Sequence, residues 1–570
     1  MTRNNSIIAI LIVLVLAGAV PVLLAAQAQP EPETILFNGK IITVDAKFSY
    51  AQAIAISGGK ILAVGSNDEI RKLAGAGTRQ LDLHGKTVIP GLMDNHLHGA
   101  GGGPGVDLSR VETLHELLEA IQARVLAANP GDLIVSNGDW HEAQLKEQRL
   151  PLRRDLDTVS PENPVVVVRG GHEYILNSMA LRKWEINENT PVPPGGGISR
   201  YEDGTLNGEL IDTARSHVKL PPPPQKDLET QIREQQKEYS ILNAAGLTSV
   251  RHPGAPVEQY RLLQEMEKRG LLTMRVNFLI RLGGVKTPQE ASERIAAWKV
   301  TPSDGDDWVR IWGIKLGVDG GFEGGWMTQP YEEPYGQGGT YKGLQTAPED
   351  VYTMTVKELS RLGWRVASHA VGDAAIQLVL KGYEEANKVR PIVGRRWSIE
   401  HGFLPSPDQF PLMNRLDLVI SAQNHLYLAG PSLVKYWGEK RASWVTPLRS
   451  YLDNLNNKMA VSAGTDAPVV PYPPLWTIYH FVTRDTITGG VLGEDQRIRR
   501  EEALRLSTIN NAYLNFEEKV KGSLEPGKYA DLVVLSDDIM TCPEQRIRDM
   551  SILATMVGGK IVYQSKDFAF

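Results

Sequence analysis

A chain of 570 residues is too long for one ordinary domain and long enough for a large barrel with a smaller companion domain. Hydrophobic residues at 42% and charged residues at 22% sit near the globular average, which excludes a disordered or fibrous chain. The formal net charge of -6 offers no basic footprint, so DNA and RNA are excluded as partners.

Cys542 is the single cysteine, which rules out an intramolecular disulfide and any Cys-based structural zinc site. Any metal must then be held by His, carboxylate or Lys chemistry. An apolar run from Ile7 to Ala26, followed by the small-x-small pattern Ala26-Gln27-Ala28, marks residues 1–28 as a secretory signal. The run is also close to the span of a bilayer, so an uncleaved N-terminal anchor is the competing reading. No Cys follows it, which removes lipoprotein attachment. Either way the folded part is expected outside the cytoplasm, periplasmic or extracellular, touching a membrane only through this segment.

Short β-like runs at 35–44 and 51–56, punctuated by Gly58-Gly59 and Gly65, are matched by similar runs at 530–535 and 556–563. Residues 32–86 and 521–570 are therefore expected to pair into one small β-sandwich, with the middle of the chain inserted between its halves. The stretch 88–98 reads as a short strand, and residues i and i+2 of a strand share a face, so His96 and His98 project together. Alone, such a pair is either structural or a metal clamp.

Further strands fall at 246–252, 274–281, 309–316, 365–369, 397–401, 418–423 and 459–466, with helical periodicity between them, as at 348–362 and 373–387. With the opening stretch this makes eight strands alternating with helices, the pattern of an α/β fold of (β/α)₈ TIM-like barrel type over 87–520. The first connection is too long for a simple crossover. It holds a helix near 111–128 and apolar strands at 133–136 and 164–169, so 99–240 is read as an inserted subdomain, left through the stiff 221–224 proline run. A Gly- and Tyr-rich connection over 319–347 reads as a lid or pocket wall.

His96, His98, Lys315, His369, His401 and Asp466 all fall at the C-terminal ends of these strands, the face on which barrel enzymes build their sites. Singly, Lys315 can be a snorkelling side chain, His369 and His401 core histidines, and Asp466 a helix cap. Together they point to a constructed centre. His252 and Arg281, near the ends of the second and third strands, and His425 after the seventh are placed to face the pocket. Arg281 there can pair a substrate carboxylate or simply be solvated.

The motifs Pro90-Gly91-Leu92-Met93-Asp94-Asn95-His96-Leu97-His98, Ser368-His369-Ala370-Val371-Gly372-Asp373-Ala374-Ala375, Ile399-Glu400-His401, Gly464-Thr465-Asp466-Ala467-Pro468 and Gly522-Ser523-Leu524-Glu525-Pro526-Gly527-Lys528-Tyr529-Ala530-Asp531-Leu532 carry a resemblance. From about Thr34 onward the chain resembles the amidohydrolase superfamily, in the branch of its third subfamily that includes N-substituted formamide deformylase. The resemblance implies a metal-dependent barrel with a sandwich from both termini. It also implies His96 and His98 on one divalent ion, most simply Zn²⁺, and His369 and His401 on a second, with Lys315 and Asp466 completing the set.

An ammonium cannot ligate a cation, so a bridging Lys315 must be carboxylated; the alternative keeps it an amine beside a single ion. Hydroxide generated at the metal would then attack the substrate carbonyl, with Asp466 as general base and acid. Within the insert, Gly138-Asp139-Trp140 and Gly171-His172-Glu173-Tyr174 resemble motifs of the same branch, where Trp140 and His172 wall the substrate site. Departures fall after the fourth strand, where the segment from Asp319-Gly320 lacks an expected Arg, and after the seventh, where Asn424-His425 follows Gln423. Both lie where substrate is read, so Asp319 joins His425 as a candidate substrate-binding residue.

The expected activity is hydrolysis of a carbon-nitrogen bond in a small molecule. Deamination, cyclic amide or ester hydrolysis, and a non-catalytic metal-binding role are the alternatives on the same scaffold. No motif specifies an oligomeric state.

Overall fold

The computed structural model describes residues 31–222, 224–488 and 490–570. The apolar run expected as a signal or anchor lies outside them. Among the described residues no helix is long and apolar enough to cross a membrane.

Strands from both ends of the chain meet in two small sheets. One sheet orders Lys60–Gly65, Ala53–Ser57, Thr34–Phe37 and Arg79–Asp82. The other orders Lys560–Gln564, Ile552–Val557, Leu532–Leu535, Thr87–Pro90, Lys40–Ile42 and Tyr50–Ala51, so N-terminal and C-terminal strands are direct neighbours. Their inner faces share one apolar cluster, including Leu36, Ile54, Val88, Leu532, Val534 and Met556.

Eight parallel strands build the barrel: Leu92–Asp94, Leu247–Ala255, Arg275–Arg281, Val309–Gly317, Val366–Ala370, Ser398–His401, Val419–Gln423 and Val461–Gly464. Each expected barrel strand has its counterpart here. Parallel strands covered on both faces are buried along nearly their whole length, as in Arg275–Arg281, where every residue but the last is buried. The ring is drawn together between last and first strands by Asn95 N donating to Ala463 O (3.1 Å) and Asp466 N donating to His96 O (2.7 Å). The surrounding helices present one apolar stripe each. Asp373–Val389 buries Ile376, Val379, Leu380 and Tyr383, and each fully buried aliphatic side chain contributes about 1.5–3 kcal/mol.

The stretch 88–98 is not the single strand that its alternation suggests. Thr87–Pro90 pairs with Leu532–Leu535 in the sandwich, while Leu92–Asp94 pairs with the second barrel strand. Gly91 is the point of transfer. A Cβ there would lie 2.2 Å from Thr248 Oγ1, so only glycine lets the backbone pass this close. Regular strand ends at Asp94, and His96 and His98 stand in bends beyond it. Cross-links rather than strand pleating fix them: Leu97 N donates to Arg251 O (3.2 Å) and His98 N to Ala467 O (2.8 Å).

The insert carries a five-stranded sheet, ordered Gly196–Arg200, Leu206–Asp212, Glu173–Leu176, Val165–Arg169 and Ile134–Val135. Its helix Leu114–Leu126 starts at a capping box between Thr113 and Glu116. The connection after the fourth strand is a packed wall, not a loose cover, because Phe322, Met327 and Tyr331 join one cluster with Leu426, Leu433 and Trp437.

Candidate metal centre

Imidazole, carboxylate and amine groups from five strand ends meet at the C-terminal mouth of the barrel. One ligand atom each from His96, His98 and Asp466 lie within 4.8 Å of one another. Asp466 Oδ1 is 3.4 Å from His96 Nε2 and 3.2 Å from His98 Nε2. That oxygen is buried with no hydrogen-bond donor aligned on it, as a cation's ligand should be. The His401 ring stands 4.8 Å from that of His96 and 4.5 Å from that of His369, and Lys315 Nζ is 3.4 Å from His96 Nε2. All six residues of the expected centre are thus brought together.

Each buried imidazole has one nitrogen occupied by the protein, which leaves the other for a ligand role. His96 Nδ1 meets Glu400 Oε2 at 2.5 Å, His401 Nδ1 meets Gln423 Oε1 at 2.8 Å, and His369 Nε2 meets Gly320 O at 3.1 Å. Such outer contacts fix ring orientation and tautomer, the arrangement a metal site requires. Burial, with Lys315 nearby, pushes the His96 pKa down to about 4, and burial also holds His369 and His401 well below the usual imidazole range. The rings are therefore neutral at pH 7, with lone pairs free for a cation. Burial works against ionisation of Asp466, but the rings of His96, His425 and His98 outweigh it and hold this carboxyl well below its ordinary value. Burial brings the Lys315 pKa down to about 8.

Backbone strain gathers here. His401 has φ 72° and Asp466 φ 63°, left-handed values that cost non-glycine residues about 1–3 kcal/mol each. In Ser398–His401, Ser398 and Glu400 share the interior face, so strand alternation alone would turn His401 away from Glu400's side. The left-handed backbone at its end re-aims the ring toward the mouth.

A cavity of about 660 Å³ opens over the cluster, a size suited to a small molecule. A narrow recess of about 40 Å³ continues beyond Asp466 among Trp140, Phe322 and Phe403. His172 borders both spaces; its Nδ1 meets Asp212 Oδ1 at 2.6 Å and its ring lies 5.4 Å from that of His369. Trp140 is a wall whose Nε1 donates to Val168 O (2.7 Å). His425 Nε2 is 3.1 Å from Asp466 Oδ2, which ties it to the cluster itself. Arg281 lines the outer cavity.

His252 and Asp319 sit differently with respect to the pocket. His252 is buried outside both cavity linings, with Nδ1 2.8 Å from Leu97 O, so it steadies the chain between His96 and His98. Asp319 borders the cavity with Oδ1 3.4 Å from His369 Nε2, and it also accepts from Trp326 N (3.0 Å), Val371 N (3.1 Å) and Gly372 N (3.0 Å), which ties together the turns after the fourth and fifth strands.

Several further partners hold the ligands of the centre in place. Glu400 accepts from Arg251 and from Ser398 Oγ (2.5 Å) while holding His96. Burial would raise its pKa, but Arg251 and His96 overrule that and keep it ionised. Asp94 links the first and last strands by accepting from Thr465 Oγ1 (2.6 Å) and His96 N (2.9 Å). Glu400 stands in the motif Ile399-Glu400-His401, one residue before His401, and a carboxylate on an interior strand face is the signal by which the sequence could have disclosed it.

Comparison with known proteins agrees with this geometry. The model of the Amidohydrolase family matches residues 79–563. N-substituted formamide deformylase of Arthrobacter pascens is 29% identical, covering 93% of this chain and 98% of its own. Protein LONG AFTER FAR-RED 3 of Arabidopsis thaliana is 30% identical over 93% of this chain and 91% of its own. An uncharacterized metal-dependent hydrolase from Pyrococcus furiosus superposes with a TM-score of 0.63 at 26% identity, covering 89% of this chain and 100% of that one. With the barrel, the sandwich and the His-rich mouth in place, the chain belongs to the amidohydrolase family and is a metal-dependent hydrolase of carbon-nitrogen bonds.

Proposed function

We propose that the protein hydrolyses a non-peptide amide-type bond in a small molecule. His96, His98 and Asp466 hold one divalent ion in this reading, and His369 and His401 hold a second where Lys315 is carboxylated. The observation that carries it is the convergence of His96, His98 and Asp466 within 4.8 Å at the mouth of the barrel, beneath a cavity of substrate size. A bound ion, most simply Zn²⁺, supplies Lewis-acid polarisation of the substrate carbonyl and a lowered pKa for water.

The chain's own groups do the rest. Asp466, ionised and braced by His425 at 3.1 Å, takes the proton of the attacking water and delivers it to the departing nitrogen. The apolar recess beside it receives the acyl side of the substrate, and the larger cavity receives the amine side. Carboxylation of Lys315 needs the neutral amine, and a pKa near 8 leaves an appreciable share of it at neutral pH. The relative from Arthrobacter pascens is named for N-substituted formamides, which supports an amide-type bond. Because this chain departs from its branch after the fourth and seventh strands, the proposed class is wider than formamides. Export, through residues 1–28 as cleaved signal or retained anchor, is part of the same proposal, and the sequence of the mature N-terminus separates the two forms.

The test is turnover across N-acyl amines, formamides, cyclic amides and esters, with intact mass measured on the same preparation. Cleavage of at least one amide class is expected, with a mass increment of one carbon dioxide if the centre holds two ions. Turnover of esters alone would overturn the amide reading, and an unmodified chain carrying one ion would overturn the two-ion form.

A further inference from the structure

Each acid that lines the large cavity has at least one oxygen engaged, and among the described residues Asp212 Oδ2 has no hydrogen-bond partner. Asp212 is paired with His172 at 2.6 Å, Asp319 accepts three backbone N–H groups, and Asp466 belongs to the proposed centre. Two lining cations lack an acidic partner among the described residues. Arg281 ends the third barrel strand, directly across from Lys315 in the sheet register, and among the described residues it makes no ion pair with a carboxylate. Arg215 reaches the same cavity from the insert, on the short turn Thr213–His217. Its Nε donates to Asp212 O (3.2 Å) and its guanidinium faces the Tyr174 ring at 5.1 Å, again with no acidic partner. Both guanidiniums line the one cavity, so their positive charges add there.

Two like charges lining one cavity, neither in an ion pair with a carboxylate among the described residues, define a position for an anion of the ligand. Between them and the apolar side chains of Leu282, Val285 and Val351 there is room for a hydrophobic body carrying that anion. We propose that the substrate bears a carboxylate on its amine side, held by Arg281 and Arg215 while the scissile bond lies over Asp466. This rests on the hydrolytic reading above and narrows its substrates to acylated amino acids and related N-acyl acids. The insert, by supplying Arg215, becomes part of substrate selection rather than a mere cover.

N-acetylphenylalanine, as both enantiomers, and N-acetylphenethylamine differ only by the carboxylate, and their comparison isolates it. In the wild-type holoenzyme the acid is expected to have the higher kcat/KM. Arg281→Gln should lower it at least about tenfold through KM, the effect of losing a hydrogen bond to a charged group, and leave the neutral compound within about twofold. Arg215→Gln should act in the same direction. Equal effects on both compounds, or no preference in the wild type, would overturn the proposal. A binding measurement keeps the question separate from turnover. Calorimetry with 3-phenylpropionate should show affinity at least about tenfold weaker in Arg281→Gln. Retained carboxylate binding with no cleavage of any amide would defeat the hydrolytic reading alone, whereas cleavage with unchanged 3-phenylpropionate affinity in the variant would defeat this one alone.

Discussion

Asp466→Asn is expected to keep its metal and to lose turnover by at least about 100-fold. The two carboxylate oxygens do different work. Oδ1 faces His96 Nε2 and His98 Nε2 at 3.4 and 3.2 Å, and Oδ2 meets His425 Nε2 at 3.1 Å. An amide oxygen can still face the two histidines, so the ion stays. It cannot take up a proton at neutral pH, so the transfer from water to the departing nitrogen is lost. Metal content and kcat measured on one preparation check this. Near-normal kcat would remove Asp466 from proton transfer, and loss of the ion together with kcat would make it a ligand first.

Glu400→Gln should damage both the centre and the fold. Glu400, Arg251 and His96 are buried together in the barrel interior. The carboxylate holds His96 Nδ1 at 2.5 Å and is the counter-ion of Arg251, which donates to its other oxygen. A neutral amide leaves the guanidinium as an uncompensated buried charge, a change that costs about 3–5 kcal/mol. With a neutral amide in place of its anionic acceptor, His96 should also bind metal about 10- to 100-fold more weakly. Denaturant unfolding and metal titration read the two effects separately. Ser398→Ala, which removes a 2.5 Å hydrogen bond to the same carboxylate and a 3.3 Å one from Arg251 but leaves the ion pair, should lower stability by about 1 kcal/mol with little change in metal affinity. A folded Glu400→Gln variant with unchanged metal affinity would detach Glu400 from the centre.

The barrel strands were legible because each is a short apolar run bounded by turns, and a residue with a ligand-type side chain closes most of them. That pattern is local, so His96, His98, Lys315, His369, His401 and Asp466 were found without knowing which strands are neighbours. What escaped depends on partners distant in the chain. Nothing within 88–98 says that Thr87–Pro90 pairs with Leu532–Leu535, so the sheet change at Gly91 stayed hidden. Glu400 and Arg251 meet only once the barrel closes. Strand alternation also misled near the site, since positive φ at His401 and Asp466 turns side chains in directions the alternation does not give. His252 and Asp319 were placed at the correct strand ends, but whether such a side chain faces a cavity or a backbone amide is a matter of packing, which composition and spacing do not encode.

The most direct test of the metal-dependent mechanism is turnover followed as chelator strips metal from the purified protein, with metal content measured in the same samples. Activity and content should fall together and both return when Zn²⁺ is added back, in the wild type but not in a His96→Ala, His98→Ala double variant. Full turnover by protein free of metal would contradict it.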